Sequence, residues 1–202
     1  MTKEYDNHNL DDTLGRTDQA SPNLMSEFRG WVKDILLAVV IAVVMVVFLY
    51  QPVKVEGTSM QPELVDQERI FVNKFVYHFE EIHRGDIVVF WYPKDPSKSF
   101  IKRVIGVPGD LVSVNNGQVF INSSLLEEKY VPRGYQDLES FPPMRVKEDH
   151  YYVLGDHRNA SNDSRSWGLV PERYIYGKAM FRYWPLPRIG SLNSTVDVDD
   201  ER

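Results

Sequence analysis

Leu111-Val-Ser-Val-Asn-Asn-Gly-Gln-Val-Phe-Ile121 is the stretch that sets the fold class. Apolar and polar residues alternate on both sides of Asn116-Gly117, and a period of two is the mark of a strand with one buried face. Asn-Gly supplies the positive φ angles of a two-residue type I′ turn, so the segment predicts a tight β-hairpin. Upstream, Asp86-Ile-Val-Val-Phe-Trp-Tyr92 and Phe100-Ile-Lys-Arg-Val-Ile-Gly-Val107 read as strands, as does Tyr151-Tyr-Val-Leu154 downstream. Gly85, Gly106 and Pro108-Gly109 punctuate them. Residues 127–147, with Pro132, Gly134, Pro142 and Pro143, read as an irregular excursion between strands. Neither a long amphipathic helix nor an internal repeat is found between 53 and 190. The expected fold is therefore all-β, an antiparallel sheet domain spanning 53–188.

Further outward, the pattern changes. Ile35-Leu-Leu-Ala-Val-Val-Ile-Ala-Val-Val-Met-Val-Val-Phe-Leu-Tyr50 is an unbroken apolar run. Counted from Trp31 it covers 20 residues, roughly 30 Å as a helix and so the thickness of a bilayer's hydrocarbon core. Trp31 and Tyr50 stand at its ends, where amphipathic rings favour the interface. Residues 29–52 are thus expected to form one N-terminal transmembrane helix, closed by Pro52. A cleavable leader would need a small-x-small site, which Gln51-Pro52-Val53-Lys54 lacks. Arg29 and Lys33 precede the run and Lys54 follows it, which favours a cytoplasmic N-terminus. Residues 1–28 are polar and read as a disordered cytoplasmic tail. Residues 189–202, ending Asp-Val-Asp-Asp-Glu-Arg, read as a polar acidic tail.

Composition narrows the chemistry. The chain has 202 residues, a net charge of -6 and no cysteine. The last point excludes disulfides, thiolate metal sites and a cysteine nucleophile. The acidic balance, with no dense run of Lys or Arg, argues against nucleic acid as a partner. No cofactor or metal is expected.

Three segments hold candidate chemistry. In Val55-Glu-Gly-Thr-Ser-Met-Gln-Pro-Glu-Leu64, Ser59 lies between a permissive Gly57 and a turn forced by Pro62. Such a serine can present its hydroxyl and its own backbone N–H to one point, as a nucleophile with an oxyanion hole requires. An ordinary turn serine would look the same. A base is needed too. Of the five histidines only His157 sits in a motif-like loop. A lysine serves instead if burial keeps it neutral. Alternation puts Phe100, Lys102 and Val104 on one face and Ile101 and Arg103 on the other, so one of two adjacent cations enters a buried face or covers its edge. The alternative is that Lys102 reaches solvent while Arg103 pairs with an acid. The third segment, Gly155-Asp-His-Arg-Asn-Ala-Ser-Asn-Asp-Ser-Arg-Ser-Trp-Gly168, is either a surface loop or a buried, mutually satisfied charge network.

Together, in this order and behind this apolar run, the three segments resemble type I signal peptidase, over most of residues 31–184. Gly57-Thr-Ser-Met-Gln-Pro-Glu-Leu64 resembles the nucleophile box and Ile101-Lys-Arg-Val-Ile-Gly-Val-Pro-Gly-Asp110 the base box. Gly155-Asp156 through Ser164-Arg-Ser-Trp-Gly168 resembles the third box, and Gly177-Lys178-Ala179 a further segment near the lysine. The resemblance implies Ser59 as nucleophile, Lys102 as general base, and Ser161 as the serine that hydrogen-bonds and orients the lysine. It implies oxyanion donors at Ser59 and near Gly57, where some members carry a serine. It makes Asp163 and Arg165 a charge pair that shapes the site; by their own chemistry Asp156 and Arg158, with Arg103, are further candidates for that charge network. It places Val55, Glu56 and Gly57 along an extended substrate by β-augmentation, and Met60, Leu64, Phe100 and Ile101 around a pocket for small residues. Many members have asparagine where His157 stands. The implied activity is removal of signal peptides from exported preproteins with small-x-small sites. The implied place is a lipid bilayer, the bacterial cytoplasmic membrane, with the catalytic domain on its extracytoplasmic face. Two other readings stay open. One is a self-cleaving Ser–Lys repressor-type protein, which expects a DNA-binding region upstream. The other is a catalytically silent, membrane-tethered β-domain that only binds exported chains.

Overall fold

A computed structural model describes residues 24–192 and 197–198, leaving out the side chains at 24, 26, 45–49, 197 and 198. The chain divides into two units between Val43 and Val44. Helix α1 covers Leu24–Leu49. It starts upstream of the apolar run, and the polar residues 1–23 lie outside the described part. The described apolar side chains of α1, Trp31, Ile35, Leu36, Val39 and Val43 among them, are exposed. Among the described residues no helix is long and apolar enough to cross a membrane.

The second unit is mostly antiparallel sheet. Its strands are β1 (Tyr50–Lys54), β2 (Arg69–Asn73), β3 (Ile87–Tyr92), β4 (Asp95–Gly106), β5 (Leu111–Asn115), β6 (Gln118–Ile121) and β7 (Ser124–Glu127). They continue as β8 (Phe141–Arg145), β9 (His150–Leu154), β10 (Val170–Pro171), β11 (Ile175–Trp184), β12 (Gly190–Ser191) and β13 (Asp197–Val198). A four-residue helix, α2 (Ser164–Trp167), precedes β10. Among the described residues the larger sheet runs β1-β2-β11-β3-β4-β9-β10 with β12 on β11, and the smaller runs β13-β7-β6-β5-β8. The hairpin forms as the alternation requires: Asn115 faces Gln118, and Asn116 and Gly117 take φ of 47° and 76°.

The larger sheet is buried on both faces where it carries the site. Along β3, Ile87 and Val89 join a cluster with Val55, Met60, Leu64, Ile70 and Val72. Val88 and Phe90 join another with Val104, Tyr151 and Val153 on the opposite face. A third cluster packs Val112, Val114, Val119 and Ile121 of the hairpin on Ile105, Tyr152 and Leu154. Strand β4 therefore crosses the middle of the molecule, and its second half, Lys102–Gly106, is entirely buried.

Two expectations need correction. Residues from Ile189 do not all form a solvated tail: Gly190–Ser191 pairs with Arg182 and Phe181, and Leu192 is buried among Val72 and Ala179. Among the described residues of this segment Leu192 is the large apolar side chain that reaches the core, which gives the segment a reason to dock. Leu64, expected around the small-residue pocket, is fully buried in the core among Val55, Met60 and Ile70.

Candidate active site

Ser59 sits in the loop between β1 and β2. Gly57, at φ 95°, turns the chain, and Met60 and Leu64 anchor the next turn in the core. The loop is tied from outside as well. Arg182 donates to the Glu63 carbonyl at 2.6 Å and Arg188 to the Pro62 carbonyl at 3.0 Å. Both arginines pair with buried Glu68, which also accepts the Val65 N–H at 2.9 Å.

Lys102 approaches from β4. Its Nζ lies 2.6 Å from Ser59 Oγ and donates to the Ile101 carbonyl at 3.0 Å. The side chain is 4% exposed, and among the described residues no carboxylate touches it. Burial lowers its pKa from 10.5 to about 8, against the fields of Asp163 and Asp156, which favour the cation. The ring of Phe100 stands 5.3 Å away.

Arg103, next in sequence, is wholly buried. It makes two bonds to Asp156, at 2.9 and 2.7 Å, donates to the Gly85 carbonyl at 3.0 Å, and lies over the Tyr130 ring. The expectation that one of the two cations is buried thus understates the case, since both are. The loop after β9 adds further ion pairs. Asp163 caps α2 and takes two bonds from Arg165 at 2.8 Å and one from the Gly155 N–H at 3.1 Å. Arg165 also pairs with Asp137, and Arg158 pairs with Glu128. The four expected residues fall into two ion-paired groups, Arg103–Asp156 and Asp163–Arg165–Asp137, with Arg158–Glu128 as a third pair, and Glu128 and Asp137 are the two partners that sequence reasoning missed. Glu128 and Asp137 come from the irregular excursion, and nothing in their own surroundings marks them.

Other expected residues behave differently. Ser161 Oγ is buried and has no hydrogen-bond partner among the described residues, so it does not bond Lys102 here. It packs instead on Gly155, where an added Cβ would lie 2.2 Å from Ser161 Oγ and 2.4 Å from the Ser59 carbonyl. The Gly57 N–H is not free to hold an oxyanion, because it donates to Asp66 Oδ1 at 2.9 Å. The Ser59 N–H has no acceptor among the described residues. His157 does not face the Ser59 hydroxyl as a base would. Its Nδ1 lies 3.2 Å from the Thr58 carbonyl. Lys178 pairs with Asp86 at 2.6 Å and is separated from Lys102 by strand β3.

A cleft of about 420 Å³ opens beside the Ser59–Lys102 pair. Val55, Glu56, Gly57, Met60, Phe100 and Ile101 line it as expected, joined by Val89 and Tyr176, which were not foreseen. Its walls are two open backbone edges. β1 ends the larger sheet, and β9 covers β4 only from Arg103 onward. Among the described residues no group of three or more His, Asp or Glu is placed to hold a metal.

Comparison with known proteins shows what the chain is similar to. The family described as signal peptidase, peptidase S26 matches residues 28–184. A signal peptidase I of Leptolyngbya laminosa is 38% identical over 95% of this chain and 97% of its own length. A signal peptidase I of Bacillus licheniformis is 37% identical over 86% of this chain and 97% of its own. A probable signal peptidase I-2 of Synechocystis is 38% identical over 82% and 77%.

Proposed function

This chain belongs to the signal peptidase family, peptidase S26, and from that premise we propose that it removes N-terminal signal peptides from exported preproteins, with Ser59 as nucleophile and Lys102 as general base. The observation that carries the reading is the 2.6 Å contact between Ser59 Oγ and a buried lysine amine with a lowered pKa. With a pKa of about 8, about one such lysine in ten is neutral at pH 7, against fewer than one in a thousand at the ordinary value. In the neutral form the contact reverses, and the Ser59 O–H donates to Nζ.

The chemistry follows from that pair. An extended preprotein lies between the edges at 53–57 and 99–101 and is held by backbone bonds to both. Ser59 Oγ attacks the scissile carbonyl as Lys102 takes its proton. The Ser59 N–H receives the developing oxyanion. Lys102 then protonates the leaving amine, and water hydrolyses the acyl-enzyme with Lys102 again as base. The apolar cleft floor of Val89, Met60 and Ile101 suits the small side chains of a small-x-small site. The apolar run from 35 to 50 anchors the chain in the bacterial cytoplasmic membrane, catalytic domain outside. The exposed apolar side chains of α1 support this.

The test is cleavage of one model preprotein in detergent or lipid by wild type, Ser59→Ala and Lys102→Ala. The expected result is a cut after a small-x-small site by wild type and loss of activity in both folded variants. If both variants cut like wild type, the dyad is wrong. A wild type that binds preprotein and never cuts it makes this a silent binding domain.

A further inference from the structure

We propose that His157 is a positioning residue for the oxyanion hole: it grips the carbonyls on either side of the Ser59 nitrogen and so aims the Ser59 N–H. The inference rests on the peptidase reading above and concerns how that site holds its transition state. His157 Nδ1 lies 3.2 Å from the Thr58 carbonyl, and its backbone N–H donates to the Ser59 carbonyl at 3.1 Å. A carbonyl oxygen only accepts, so Nδ1 carries the proton of that bond. The neutral tautomer that has it and the imidazolium both serve.

The Thr58–Ser59 peptide is trans. Its C=O and N–H therefore lie in one rigid plane and point in opposite directions, and fixing the carbonyl fixes the N–H. The Gln61 N–H reaches the same Thr58 oxygen at 3.0 Å. Two donors on that oxygen hold the plane against rotation and also polarise the peptide, which makes its N–H a better donor. That N–H has no acceptor among the described residues, whereas the Gly57 N–H is taken by Asp66. The imidazole is itself held. Tyr135 meets it edge-on with centroids 4.3 Å apart, and the Arg165–Asp137 pair ties Tyr135's segment to the loop that bears His157. Gly155 completes the fit, because only a residue without Cβ lets the chain pass so near the Ser59 carbonyl.

The experiment compares kcat and KM of the full chain on one model preprotein for wild type, His157→Phe and His157→Asn, with melting temperatures. Phenylalanine keeps the ring against Tyr135 and removes the donor. Deleting an oxyanion donor outright costs about 10²–10³ in rate, so misaiming one should cost about tenfold in kcat, with KM held within about twofold. Asparagine restores a donor and should bring kcat back to within about threefold of wild type. Wild-type kcat in His157→Phe overturns the proposal, and so does an asparagine variant no better than the phenylalanine one. If His157→Phe does not fold, Tyr135→Leu carries the test. It removes only the ring's wall, and kcat should fall about threefold at constant KM; an unchanged kcat overturns the proposal. A wild type that cleaves nothing brings down the peptidase reading and this inference together, whereas a cleaving wild type matched by His157→Phe overturns this inference alone.

Discussion

Lys102 and Arg103 are neighbours on β4, 4% and 0% exposed, and the two sides of that strand treat them in opposite ways. On one side, Arg103 has the Asp156 carboxylate in two bonds, the Gly85 carbonyl and the Tyr130 ring. Burial works against this cation, but the bonds to Asp156 outweigh it and its pKa is raised. On the other side, Lys102 has a hydroxyl and one carbonyl, and its pKa falls to about 8. A guanidinium cannot shed its proton in a protein, so its burial requires a counter-charge. An ammonium can shed one, so its burial without a counter-charge produces a base. Depth alone therefore does not turn a buried cation into a base; the missing carboxylate does.

Replacing each cation by methionine puts that contrast to its hardest test. Lys102→Met should lower cleavage by about a thousandfold or more and yet raise stability. Between pH 8 and 10.5 the unfolded lysine holds a proton that the folded one has released, so stability climbs with pH across that window. Below pH 8 the folded state bears the full penalty, about 3 kcal/mol, and methionine removes it. Arg103→Met should instead lose about 3–5 kcal/mol, because it leaves Asp156 buried without its partner. Thermal unfolding at pH 7 reads both signs. A Lys102→Met chain destabilised as much as Arg103→Met would show that Lys102 has a counter-charge after all.

The pH profile sharpens the same contrast. Cleavage should rise with pH along one titration near 8 and level off above it, as Lys102 becomes neutral. A limb near 6.5, the ordinary histidine value, would hand the base role to His157. Lys102→His should not recover activity, because the imidazole cannot place a nitrogen where the longer amine reaches Ser59.

Much of this is open to a reader of the sequence, though not evenly. The Asn116-Gly117 hairpin follows from local alternation, and strands β3, β4 and β9 from short runs of β-branched and aromatic residues, signals that act between near neighbours and are written into short windows. Ser59 and Lys102 are named by resemblance, since spacing alone leaves Lys102 free to reach solvent. The ion pairs are the hardest. Glu128 and Arg158 are 30 residues apart, Asp137 and Arg165 28, and Glu68 and Arg182 114. Charge says that a buried arginine needs a carboxylate, but only tertiary contact says which. The occupied Gly57 N–H and the unbonded Ser161 hydroxyl are out of reach for the same reason. Each depends on how two loops far apart in the chain happen to meet.

The smallest expected effect tests whether the two sides of β4 communicate. Asp163 bonds Arg165 and the Gly155 N–H, and its charge also favours the protonated form of Lys102, while Arg165 opposes it. Asp163→Asn keeps an oxygen for the Gly155 N–H and removes the charge. Lys102 then loses a stabilising anion and feels Arg165 less well compensated, and both changes act in the same direction. Its pKa should fall further, and the rising limb of the pH profile should move to lower pH without changing its slope. A limb that stays in place would mean that burial alone sets the lysine and that the network serves only to hold the loop. A limb that moves up would mean that the loop had opened and let water reach Lys102, which makes Asp163 the latch of a dry site rather than a source of field.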